Sequence, residues 1–168
     1  YLTYPTAAMR YGSGGVAGWA TLCGAMNGAA YTIQLVSPDP KPIIDELYTW
    51  AERNPLPDAD FTPKNARFEI TPSVANSVIC HASIAEWTKA SGHKAFSKER
   101  DDRCGQLTAS VARKVVLLLN DQHAGKFVPV YARSEEVQEC GGCHLKGSRM
   151  ENTRGKMECY ACHAGVHD

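Results

Sequence analysis

Apolar residues recur at helical intervals through the middle of the chain and almost vanish towards its end. Ile43, Ile44, Leu47 and Trp50 share one helical face, bounded by the Asp39-Pro40-Lys41-Pro42 turn and the Asn54-Pro55-Leu56-Pro57 break. Cys104, Leu107, Val111, Val115 and Leu118 follow at spacings of three and four, so a helix capped by Ser97 and ending near Asn120 is expected. Between these, Thr71 followed by Pro72 reads as an N-cap with proline in the first turn. It opens a helix that runs to Ala90, stops at Gly92 and contains Cys80 and His81. Ala66 to Ile70 reads as a brief strand. The run from Gly14 to Ala30 is small and apolar and reads as a tightly packed buried helix, with a strand or glycine-rich loop as the alternative. Each glycine costs a helix about 1 kcal/mol, so packing has to hold it.

From Ala124 the pattern gives way to loop, and from Ser134 onward aliphatic residues are nearly absent. Such a segment cannot build its own core. The chain therefore reads as mainly α: a helical domain over residues 1–130, and an irregular C-terminal tail, 131–168, packed on it and ordered by a bound group.

Charge narrows the partners. Eighteen basic residues balance eighteen acidic ones over 168 residues, which argues against a nucleic-acid surface or a polybasic membrane patch. Val115 to Leu119 is the longest apolar run, far short of the roughly 20 residues of a membrane span. The glycine-rich stretch lacks the ordered G-x-G-x-x-G of a dinucleotide site. The chain opens at Tyr1 rather than Met, which suits either a removed leader or an absent N-terminal part.

Four of the seven cysteines crowd into the tail, in Cys140-Gly141-Gly142-Cys143-His144 and Cys159-Tyr160-Ala161-Cys162-His163. Two thiols three residues apart can each add to one vinyl group of a porphyrin, and the following histidine is then placed as an axial iron ligand. The expectation is two haem c groups, held by Cys140, Cys143, Cys159 and Cys162, with His144 and His163 on the irons. Covalent attachment of this kind implies export to an oxidising compartment, the periplasm. The same cysteine spacing fits a four-thiolate zinc ribbon, but zinc has no use for a histidine after each pair.

Two irons leave two axial positions, for which His81, His93, His123 and His167 are candidates. His81 is favoured because it falls in an apolar helix where an unpaired imidazole is costly, and His123 comes next. Met150 and Met157 lie between the motifs and read as neighbours of a haem edge. Cys23, Cys80 and Cys104 remain: either small buried hydrophobes, or the ligands of a second metal centre such as an iron–sulfur cluster, which usually takes four protein ligands.

The stretch Tyr11 to Trp19 with Leu22-Cys23-Gly24-Ala25-Met26-Asn27-Gly28 resembles the redox proteins named for a C-GCAxxG-C-C signature. With Cys80-His81, the segment from Trp87 to Arg100, Arg103-Cys104 and the two C-x-x-C-H motifs, the chain is similar to the split-Soret cytochromes c over nearly its whole length. Gly14 and Gly15 stand where a signature cysteine is expected. The resemblance implies a dimeric dihaem protein of anaerobic, often sulfate-reducing, bacteria. It further implies bis-histidine iron, two stacked haems in each subunit, a distal histidine crossing the dimer and an additional iron–sulfur centre.

Two function classes follow. An electron carrier, meeting redox partner proteins as a homodimer, needs six-coordinate low-spin iron and no open site. A haem enzyme, such as a small-molecule reductase or peroxidase, needs one open distal position lined by acid–base groups. No such pair is evident, since His93 beside Lys94 reads as a solvated loop after Gly92. The electron carrier is the expectation, not an enzyme.

Overall fold

A computed structural model describes residues 6–166. A 3-10 helix, Thr6–Gly12, precedes α1 (Gly24–Val36), α2 (Pro40–Arg53), α3 (Cys80–Ser91), α4 (Lys98–His123), α5 (Glu135–His144) and the single turn α6 (Tyr160–His163). Among the described residues there are no strands, only isolated bridges pairing Leu22 with Ile79 and Leu56 with Ser73.

Helices α1, α2 and α4 build the core. Met26, Ala29 and Ile33 from α1 meet Ile43, Leu47, Trp50 and Ala51 from α2 and Leu107, Val111, Val115 and Leu118 from α4. These are the faces read from periodicity in α2 and α4. Ser97 caps α4 as expected, its hydroxyl accepting from the Arg100 amide, and α4 runs three residues beyond Asn120.

The run from Gly14 to Ala30 is not one helix. Gly14, Gly15, Val16, Ala17, Gly18 and Ala20 all have positive φ, so the chain coils through a loop and α1 begins only at Gly24. The glycine cost was not recovered by packing: the loop satisfies its own amides through bonds such as Ala20 N to Gly14 O and Thr21 N to Gly15 O. Gly24 is obligatory for a different reason, because a Cβ there would stand 2.4 Å from the Gly12 carbonyl oxygen.

The third helix starts at Cys80, not at Thr71. Residues 71–79 stay extended because their backbone groups are taken by neighbours. Ser73 exchanges two bonds with Leu56, the Val78 carbonyl accepts from Cys23 N, and Cys80 N donates to Thr21 O. The C-terminal stop at Gly92, in the left-handed conformation, is as expected. The brief strand at Ala66–Ile70 is absent too. In its place the amides of Arg67 and Phe68 donate to the Asp102 carboxylate, and the Phe68 carbonyl accepts from Gln106.

The tail is less irregular than its composition implied. Ser134 caps α5, its hydroxyl accepting from the Val137 amide, with Glu135 and Glu136 in the first turn. The same hydroxyl donates to the Glu158 carboxylate at 2.8 Å. The segment before α6 lies on α2: Arg53 pairs with Glu158 at 3.2 Å, Lys156 pairs with Asp45, and the Glu158 amide donates to Glu52. No helix of the described residues is long and apolar enough to cross a membrane.

Candidate functional site

Helix α5 carries Cys140 and Cys143 one turn apart and ends on His144. Cys159 stands immediately before α6, which carries Cys162 and ends on His163. Both motifs thus adopt the helical turn that sets two thiols and the following imidazole along one edge. The two are folded against each other. The Cys140 sulfur lies in hydrogen-bond reach of Cys159, whose thiol is pushed up by burial and further by that neighbour. The first cysteine of one motif therefore meets the first cysteine of the other.

His144 is oriented. Its Nδ1 lies 2.8 Å from Oδ1 of Asn152, and because that oxygen only accepts, Nδ1 carries the proton and Nε2 is the nitrogen presented to a metal. Sequence reading missed Asn152, although an amide eight residues past a metal-binding histidine is the type of partner such a ring needs. His163 is exposed at the end of α6.

A cleft of about 210 Å³ opens between α2 and the tail, lined by Asp45, Tyr48, Glu52, Arg53, Tyr131 and Glu158 among others. Burial pushes the Glu52 carboxyl up to about 7; the Glu158 amide bond opposes this, the Glu158 charge adds to it, and Arg53 opposes it. Beside the cleft, Ser77 Oγ lies 3.2 Å from the Met157 sulfur, so Met157 is seated against the body.

The distal candidates come out differently. His81 is the second residue of α3 and is exposed, so the burial that favoured it is absent; its amide bonds to the Ala20 carbonyl. His123 is exposed as the last residue of α4, not past its end. His93 stacks on Trp87 with ring centroids 5.8 Å apart and sits 3.9 Å from the Glu99 carboxylate. His167 lies outside the described residues.

Cys23, Cys80 and Cys104 lie near enough for their thiols to influence one another. Cys23 is the N-cap residue of α1, where the amides of Ala25 and Met26 face its sulfur without closing a capping bond. Pairing of residues 21–23 with 78–80 sets Cys80 beside it, and the second turn of α4 brings Cys104. Burial raises the thiols of Cys23 and Cys80; the Ala25 and Met26 amides oppose this at Cys23, Cys104 adds to both, and Cys23 adds to Cys80. Among the described residues no three His, Cys, Asp or Glu side chains are drawn tightly enough to enclose a metal ion. The buried Arg103 guanidinium is coupled electrostatically to all three sulfurs, Cys104 first. Its Nε and Nη2 have no partner among the described residues. Gly15 closes the site from above, since a Cβ there would stand 2.7 Å from the Cys80 Cβ.

A model of the family described as "Putative redox-active protein (C_GCAxxG_C_C)" matches residues 3–118. The chain belongs to this C_GCAxxG_C_C family. It is 35% identical to the split-Soret cytochrome c of Desulfovibrio desulfuricans over 99% of its own length, and spans 62% of that relative's. The solved structure of the split-Soret cytochrome c from Desulfovibrio desulfuricans ATCC 27774, which describes a novel iron centre in that protein, superposes with a TM-score of 0.90 at 33% identity. The superposition covers 98% of this chain and 72% of that one. The mainly helical architecture matches that structure, and the similarity runs over nearly the whole of this chain.

Proposed function

We propose that this protein is a dihaem c-type cytochrome that carries electrons in the periplasm. The observation that supports it is the folding of two C-x-x-C-H motifs into adjacent helical turns, with Cys140 against Cys159 and the His144 ring turned by Asn152. When bound, haem supplies one-electron chemistry. The chain's part would be to attach it through Cys140, Cys143, Cys159 and Cys162 and to offer His144 and His163, with a further histidine for each, as iron ligands. The nearness of the two motifs supports electron exchange between the two groups. The reading is of a carrier, not an enzyme, because two paired C-x-x-C-H motifs suit electron exchange between neighbouring haems.

The exposed His81 and His123 fit a homodimer, in which a histidine that is solvated in one chain is buried by the other. Cys23, Cys80 and Cys104 would be the thiolates of an iron–sulfur centre, with the buried Arg103 as a nearby countercharge. Mass spectrometry of the denatured chain should retain two haem masses, and the reduced spectrum should be unchanged by carbon monoxide. A bare polypeptide mass would end the dihaem reading; a carbon monoxide adduct would replace the carrier with an enzyme.

A further inference from the structure

The segment between the two C-x-x-C-H motifs, residues 145–158, folds back on the first of them. Leu145 packs on Gly141, where a Cβ would stand 2.7 Å from the leucine Cδ1. The Met150 amide donates to the Cys143 carbonyl at 3.0 Å and the Thr153 amide to the His144 carbonyl at 3.1 Å, while Asn152 holds the His144 ring. This segment carries Lys146, Arg149, Arg154 and Lys156 against Glu151 and Glu158. Lys156 pairs with Asp45 and Glu158 with Arg53, so those two are spent on the seam with α2. Lys146, Arg149 and Arg154 are exposed, and among the described residues none of them joins an ion pair. Met150 stands among them, 52% exposed. A chain with no net charge thus gathers an excess of positive charge at one edge of the first motif, around an apolar side chain. A purely structural use for it is the C-terminus of α5, whose carbonyl end favours cations. That end is already served, since the Gly141, Cys143 and His144 carbonyls accept from amides of the same segment.

We propose that Lys146, Arg149 and Arg154, set around Met150, form the docking face for a redox partner protein whose own contact surface is rich in carboxylates. This rests on the carrier reading given above. A carrier must meet its partner often and release it quickly, and opposite charges on the two rims raise the encounter rate more than they deepen the final affinity. The exposed methionine supplies the adaptable apolar contact at the centre. An anionic membrane fits less well, because surfaces of that kind call on clusters of about four to eight basic residues.

The test compares the wild-type haem-loaded protein with the triple variant Lys146→Glu, Arg149→Glu, Arg154→Glu, the haem spectrum serving as the control for folding. The reduced protein is oxidised by ferricyanide, an anion that takes one electron from each haem, at low and at high salt. The wild-type rate should fall about tenfold as salt rises, and in the variant it should rise instead. A wild-type rate indifferent to salt, or the same fall in the variant, overturns the proposal and leaves the carrier reading standing. The second readout is binding of a deca-glutamate peptide at low salt, expected in the wild type and about tenfold weaker in the variant. A peptide that the wild type ignores, while it is retained on phosphatidylserine vesicles, replaces the protein partner with a membrane. Lower stability in the variant with an unchanged salt response assigns the cations to α5 alone. A wild-type chain without haem removes the carrier reading, and this proposal with it. Where the triple variant does not accumulate, Arg149→Gln and Arg154→Gln decide: each should slow the ferricyanide reaction at low salt about twofold, and wild-type rates in both overturn the docking face.

Discussion

Ile33, Ile43 and Leu47 are fully enclosed between α1, α2 and α4, whereas between Ser134 and Val166 only Val137 is buried. The body holds its shape by removing apolar surface from water. The tail is tied down by polar bonds at its edges: Ser134 to Glu158, Glu158 to Arg53, Lys156 to Asp45. Exposed pairs of this sort contribute about 0–1 kcal/mol each, too little to order some thirty residues against their chain entropy. On the reading proposed above, haem would supply the apolar contact that this shorter, coreless region lacks.

The contrast breaks most sharply under a core truncation. Leu47→Ala should remove about 3 kcal/mol of stability and lower the melting temperature seen by far-ultraviolet circular dichroism. If haem absorbance follows the same curve, the tail has no independent stability; a separate, later transition would make it a unit of its own.

The seam between the regions should respond to pH. Glu52, at the end of α2, bonds to the Glu158 amide of the tail and titrates near 7 when folded, above the usual carboxylate value. The folded state holds this proton more tightly than the unfolded one. Its contribution is therefore fully present below about pH 4.5 and is lost as pH rises towards 7, on the order of 2 kcal/mol. Glu52→Gln should flatten stability across that window in denaturant titrations. Asp102 runs the other way: burial raises its carboxyl, but Gln106 and the Arg67 and Phe68 donors outweigh this and hold it at about 2. Its contribution to the body is present at neutral pH and is lost as pH falls from about 4 towards 2.

The smallest effect sharpens the comparison at one atom. Ser134→Ala removes the α5 cap and the bond to Glu158 together, and should cost about 1 kcal/mol. Hydrogen exchange should quicken in α5 and leave α4 unchanged.

Most of the body was legible in sequence because α2 and α4 obey helical periodicity and carry clean punctuation, Pro at the start of one and Ser97 before the other. The misreadings share a cause. Thr71-Pro72 is a good local helix start, and Ala66–Ile70 a fair local strand, but partners distant in sequence claim their backbone: Leu56, Cys23 and Thr21 for one, Asp102 and Gln106 for the other. Local propensity cannot see such partners. In the tail the signal for α5 was present, Ser134 followed by Glu135 and Glu136, and was masked by the lack of aliphatic residues. The C-x-x-C-H residues were readable because their chemistry fixes their spacing. Helix packing suggested that Cys23, Cys80 and Cys104 would share one site; two of them sit at helix boundaries set by backbone pairing, and among the described residues the three do not close into a metal-holding group. Arg103 gave no sign in the sequence that it would be buried.

The seat of Gly15 on Cys80 sets a rule for how this lineage can diverge. With the two Cβ positions 2.7 Å apart, a mutation that brings any side chain to position 15 is not an isolated step. It must arrive with a rerouted loop, so length changes between residues 13 and 20 and the residue at position 15 should be inherited as a block. Relatives with a cysteine there are expected to differ in loop length as well, and the number of thiols around the site changes in jumps, not by single substitutions.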